Sequence, residues 1–143
     1  MHGASHFILF VADQERSKSF YSDVLGVQPR LHVSGMTEFD LPGGAVLGLM
    51  PTAGMRRLLG DALPDEGPVA GPPRAELYLL VESPQAFHSR ALAAGATALS
   101  PLLARDWGHV AAYSLDPDGC VLAFAFDPSR SGGASRESEV QGA

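Results

Sequence analysis

His6-Phe7-Ile8-Leu9-Phe10-Val11-Ala12-Asp13 is answered seventy residues later by Glu76-Leu77-Tyr78-Leu79-Leu80-Val81-Glu82-Ser83. Both stretches are short apolar runs rich in Phe, Leu, Ile and Val, closed by a residue suited to start a helix. Such runs read as buried strands. Asp13 can offer its side-chain oxygen to the free amides of a first helical turn. A helix over Gln14–Leu25 then gathers Phe20, Val24 and Tyr21 on one face, and Gly26 ends it. In the second copy Ser83 and Pro84 start a helix over 84–94, with proline at its first position, and Gly95 ends it.

Three strands follow each helix. In the first copy they fall at 28–33, 36–41 and 45–50, with turns at Ser34-Gly35 and Pro42-Gly43-Gly44. In the second they fall at 97–100, 109–115 and 120–126, the last two joined by Asp116-Pro117-Asp118-Gly119. The order is β-α-β-β-β twice. It predicts an α+β fold in which two modules form a curved, mostly antiparallel mixed sheet around a cavity, with helices outside. Residues 1–51 make the first module and 75–127 the second. The Pro- and Gly-rich stretch 52–74, with one helical candidate at 55–63, reads as a linker or lid. From Ser129 on the chain is mostly Ser, Gly and charge with one Val, and residues 128–143 are expected to be disordered.

Composition narrows the function. A chain of 143 residues with 45% hydrophobic residues has enough apolar matter for a core. Net charge is −6 and no basic run exceeds Arg56-Arg57, which argues against a nucleic-acid partner. No apolar stretch has the length of a membrane span, and none resembles a signal peptide, so a cytoplasmic protein is expected. Cys120 is the single cysteine, so neither an intrachain disulfide nor a cysteine metal cluster can form. The abundance of Ala, Gly, Pro and Arg fits a GC-rich bacterial gene.

Alternation along the strands sorts side chains by face. With His6 inward, Ile8 and Phe10 follow it, while Phe7, Leu9 and Val11 face the helix. With Glu76 inward, Tyr78 and Leu80 follow. Anchoring the last strands on Gly44 and Gly119 places Gly48 and Ala123 at matching positions. Phe10, Met36, Met50 and Tyr78 then offer an aromatic and thioether surface. It would suit an apolar or planar small molecule, and equally an ordinary core.

The first strand with Ser19-Phe20-Tyr21-Ser22-Asp23-Val24-Leu25-Gly26, then Asp106-Trp107-Gly108, then Asp116-Pro117-Asp118-Gly119, resembles the vicinal oxygen chelate superfamily. That superfamily includes glyoxalase I, extradiol dioxygenases and bleomycin-resistance proteins. The resemblance runs from about residue 5 to 127. In metal-using branches four inward positions carry ligands, and here they map onto His6, Gly48, Glu76 and Ala123. Only His6 and Glu76 can ligate, whereas catalytic divalent sites ordinarily take three or more protein ligands. The resemblance therefore implies the branch without a tightly bound metal or other cofactor. Its members bind small, largely apolar or aromatic molecules, including sequestered drugs, and a homodimer is implied with it. The alternative is a divalent-metal-dependent lyase, isomerase or dioxygenase. His6 and Glu76 would then be ligands or catalytic groups, with a third ligand from His109 or a second protomer.

Each remaining candidate has two readings. His6 and Glu76 either hydrogen-bond a ligand or simply satisfy each other and water. Trp107, after a loop, either stacks on an aromatic ligand or plugs one end of the fold. His109 begins the next strand beside it. Arg56, Arg57 and Arg105 either grip an anion or are solvated, the commoner state. His2, His32 and His88 read as surface residues. Cys120, at the exit of a turn, has nothing to depress its pKa. No nucleophile elbow, phosphate loop or dinucleotide fingerprint is present, which leaves a hydrolase or kinase without a foothold.

Overall fold

The computed structural model describes residues 3–63 and 72–131. The chain divides into two compact units, Met1–Pro72 and Pro73–Ala143. Expectations for His2, for most of the tail and for the middle of the linker lie outside the described residues.

The first unit holds β1 (His6–Val11), α1 (Gln14–Leu25), β2 (Leu31–Val33), β3 (Met36–Asp40), β4 (Val46–Pro51) and α2 (Thr52–Leu59). Its sheet has the order β1-β4-β3-β2, parallel between β1 and β4 and antiparallel elsewhere. The second unit holds β5 (Glu76–Leu80), α3 (Pro84–Ala93), β6 (Thr97–Ala104), β7 (Val110–Leu115), β8 (Val121–Phe126) and the short α4 (Pro128–Ser131). Its sheet, β5-β8-β7-β6, repeats the same pattern of directions. The fold is thus α+β, with two four-stranded mixed sheets. No helix among the described residues is long and apolar enough to cross a membrane.

Capping chemistry explains α1. Asp13 is extended and its Oδ1 accepts from the Arg16 amide at 3.0 Å. Gly26 closes the helix at φ +72°, a conformation in which a Cβ would be strained. Ser17, Phe20, Tyr21 and Val24 form the buried stripe, packed with Val11, Phe39, Leu47 and Leu49, all at most 3% exposed. α3 starts at Ser83 as expected, but the serine hydroxyl makes no cap; its carbonyl takes the Ala86 and Phe87 amides instead.

Three expectations need correction. The second helix lies at Thr52–Leu59, earlier than 55–63, because it starts directly after Pro51 at the end of β4. β6 continues to Ala104 although Pro101 interrupts the apolar pattern. It is an edge strand, and register shifts between Ala98 and Leu103 absorb the missing amide. Phe7 does not pack under the helix. The alternation of β1 holds at buried Val11, but Phe7, near the start of this edge strand, remains 62% exposed.

His88 is also not a surface residue. It is 5% exposed on α3, and its Nδ1 has no hydrogen-bond partner among the described residues. Burial lowers its pKa below 6.5, since the charged ring loses its hydration. Unfolding therefore takes up a proton as pH falls below about 6.5, and stability falls with it. Between pH 7 and 5 the wild type should lose melting temperature faster than His88→Leu. Parallel pH profiles of the two would contradict this.

Candidate functional site

In the first unit the blank position Gly48 is already packed. A Cβ there would lie 3.1 Å from Ile8 Cγ1 and 3.3 Å from Met36 Sδ. Gly48 stands in register with Ile8 on β1 and Glu38 on β3. Glu38, which sequence reading passed over, supplies the polar centre of this face. Its carboxylate lies 3.6 Å from His6 Nδ1 and 3.5 Å from Arg30 Nε, and Arg30 continues to Asp40 at 3.1 Å. Phe10 and Met50 are register partners on the same sheet, and Phe10 is 50% exposed.

The second unit gathers more of the expected residues. Ala123 on β8 stands in register between Tyr78 on β5 and Tyr113 on β7. Trp107 Nε1 donates to the Tyr78 hydroxyl at 2.9 Å, and that hydroxyl lies 2.7 Å from His109 Nδ1. His109 Nε2 faces Asp127 Oδ2 at 3.7 Å, an electrostatic pairing too long for a direct hydrogen bond. Asp127 Oδ1 is occupied by the hydroxyl and amide of Ser129, at 2.7 and 3.1 Å. These donors, with the Ser129 hydroxyl foremost, hold the Asp127 carboxyl below the usual carboxylate range.

Arg105 fixes the loop that carries Trp107 and His109. It was expected to be solvated, yet its guanidinium donates to the Ala111 and Pro101 carbonyls and to Ser100 Oγ, the last at 2.6 Å. It also lies 5.0 Å over the Tyr113 ring. Its own amide bonds the His109 carbonyl at 2.8 Å. Burial raises the Tyr113 pKa, aided by Glu76 and Tyr78 and opposed by Arg105, so Tyr113 stays a neutral phenol.

Of the expected residues, Tyr78, Trp107 and His109 converge. Glu76 sits exposed two residues before Tyr78, on the same face of β5. His6 has Glu38 as its carboxylate partner and lies in the other unit. Arg56 and Arg57 are exposed on α2. His32 is exposed, as expected, and joins a network, 2.7 Å from Thr37 Oγ1 and 2.8 Å from Glu15 Oε2. Burial pushes the Cys120 thiol up to about 11, with Asp116 adding to it, which matches the unreactive cysteine expected. Asp116 accepts from the Asp118 and Cys120 amides, the structural turn expected of Asp-Pro-Asp-Gly.

Sequence reading missed Glu38 and Asp127. Asp127 was within reach: a hairpin folded about the Asp116–Gly119 turn pairs Val110 with Phe126, and so sets 109 opposite 127.

Within either unit, among the described residues, no three His, Cys, Asp or Glu side chains converge. Glu38 already faces a guanidinium, whose positive charge opposes a cation.

The fold has many relatives of known structure. A glyoxalase-related enzyme from Fulvimarina pelagi is 23% identical, with 90% of each chain covered and a TM-score of 0.70. A glyoxalase/bleomycin resistance protein/dioxygenase from Nocardioides is 21% identical, covering 98% of this chain and 91% of its own, with a TM-score of 0.68. A family enzyme of the same description from Burkholderia phytofirmans PsJN is 18% identical, covering 87% and 98%, at 0.67. No curated protein matches the sequence significantly. The model of one family matches residues 3–124, and with the paired β-α-β-β-β units it places this chain in the Glyoxalase/Bleomycin resistance protein/Dioxygenase superfamily.

Proposed function

We propose that this protein binds a small planar aromatic molecule against Trp107, without a resident divalent metal, and that its role is sequestration of such a compound. One observation carries the reading: Trp107 is 57% exposed, yet its indole is held by the hydrogen bond to Tyr78. Exposing an indole costs hydrophobic free energy, and a residue kept only for packing would be buried. An anchored, exposed indole is instead a preorganised stacking surface, with little side-chain entropy left to lose on binding. Arg105 supports this by fixing both ends of the loop. The packed Gly48 position and the two-donor set of the first unit support the metal-free part.

A cytoplasmic homodimer remains part of this proposal. Phe7 and Phe10 are at least half exposed on edge strand β1, apolar surface that a second copy would cover.

Trp107 is the single tryptophan, so tryptophan fluorescence excited beyond the tyrosine band reports this surface alone. Planar aromatic compounds should quench it saturably. Tyr78→Phe removes the indole's acceptor and should raise the dissociation constant about tenfold, the worth of one hydrogen bond of ~1.4 kcal/mol. Absence of saturable quenching across such compounds would refute the proposal.

A further inference from the structure

With His109 neutral, the hydrogen bonds around Tyr78 have one consistent direction. Indole N–H only donates, so the Tyr78 oxygen accepts from Trp107. A proton on His109 Nδ1 would leave the lone pair of Nε2 facing the Asp127 carboxylate. The neutral ring therefore carries its proton on Nε2, and Nδ1 accepts the Tyr78 hydroxyl proton at 2.7 Å. With its proton given to His109 and one lone pair given to Trp107, Tyr78 has one lone pair left. A ligand on Trp107 can meet it only with a hydrogen-bond donor.

We propose that Tyr78, His109 and Asp127 form a proton relay that ionises an acidic hydroxyl on the ligand, so that a phenol or enol is bound as its oxyanion. This rests on the reading of Trp107 as the stacking surface. In the step, the ligand O–H breaks and its proton bonds to the Tyr78 oxygen. The Tyr78 O–H breaks as its proton bonds to His109 Nδ1. The products are a ligand oxyanion, a neutral Tyr78 and a His109 imidazolium facing the Asp127 carboxylate. No electrons change hands.

The surroundings bear on the oxyanion from each packed element. On β7, Tyr113 is a neutral phenol, and Arg105 supplies a positive charge over it. From β5, Glu76 opposes a second negative charge. Past β8, Asp127 favours the imidazolium, with Ser129 keeping it ionised and Arg130 nearby. Tyr78 would touch the reacting hydroxyl, while His109 and Asp127 position and receive its proton.

4-Nitrophenol tests this, because its phenolate has a visible absorption band of its own. At a pH about one unit below the free probe's pKa, roughly nine-tenths of free probe is protonated. Probe that saturates the Trp107 quench should be at least half phenolate, an apparent shift of about one unit or tenfold. Read at saturation, His109→Gln should return the bound probe to the free probe's ionisation, and Asp127→Asn should give a smaller shift than wild type. A merely structural role for His109 would leave the ionisation of bound probe unmoved. Quenching without the phenolate band in wild type overturns the relay and leaves aromatic binding standing. The same band in His109→Gln also overturns it. No quenching by any nitrophenol or other planar aromatic overturns both.

Discussion

Gly48→Glu, which puts a carboxylate at a position that the family resemblance maps onto a metal ligand, is expected to destabilise the first unit by about 3–4 kcal/mol and to create no metal site. The new Cβ meets Ile8 Cγ1 at 3.1 Å and Met36 Sδ at 3.3 Å, so both side chains must shift before the carboxylate is placed. Overpacking alone costs ~1–3 kcal/mol. The carboxylate then stands opposite Glu38 on β3, where like charges in a cross-strand pair repel. Gly48→Ala adds only the methyl and should cost less, because flexible side chains can give by a few tenths of an ångström. Chemical denaturation of the three proteins measures the difference. If added zinc restored the stability of Gly48→Glu, the position would be metal-ready after all.

Phe124→Ala should be the largest loss in the second unit, about 3–5 kcal/mol. Phe124 is 1% exposed in β8 and stacks on Phe87 of α3 at 5.6 Å between centroids. Arg90 covers the Phe87 ring from above at 4.3 Å. Truncation leaves a cavity between sheet and helix, lined by groups with no replacement partner. The melting temperature should fall by at least about 10 °C for a unit of this size. A fall of less than about 4 °C would mean that α3 collapses onto the sheet without strain, and that Phe124 does not hold the helix. His109 and Asp127 flank the ends of β7 and β8, so this variant should also weaken the Trp107 quench.

The readable parts of the fold were those with local chemistry. Asp13 and Gly26 fixed both ends of α1 to the residue, because a cap and a left-handed glycine act within one turn. The repeated β-α-β-β-β order followed from apolar periodicity and turn residues. β6 was underestimated since Pro101 is a breaker in any local reading, and only its place at the sheet edge makes it tolerable. Phe7 was misplaced because alternation tells which face a side chain takes, not how far a helix extends over it.

The candidate site was legible where it lay on one strand and one loop. Tyr78, Trp107 and His109 were named from the sequence, and the structure joins them by hydrogen bonds. Glu38 escaped because Met36-Thr37-Glu38-Phe39-Asp40 alternates like any half-exposed strand. Its meaning lies in register with Gly48 and in contact with His6 and Arg30, both distant in sequence. Arg105 looked like a solvated loop residue, since nothing local shows that four acceptor contacts converge on one guanidinium.

The most direct test of the account is one titration: Trp107 fluorescence against a planar aromatic ligand, before and after exhaustive treatment with a chelator, on tag-free protein. Saturable quenching with the same dissociation constant is expected in both samples. Binding that disappears with the chelator and returns with one equivalent of a divalent ion would contradict it.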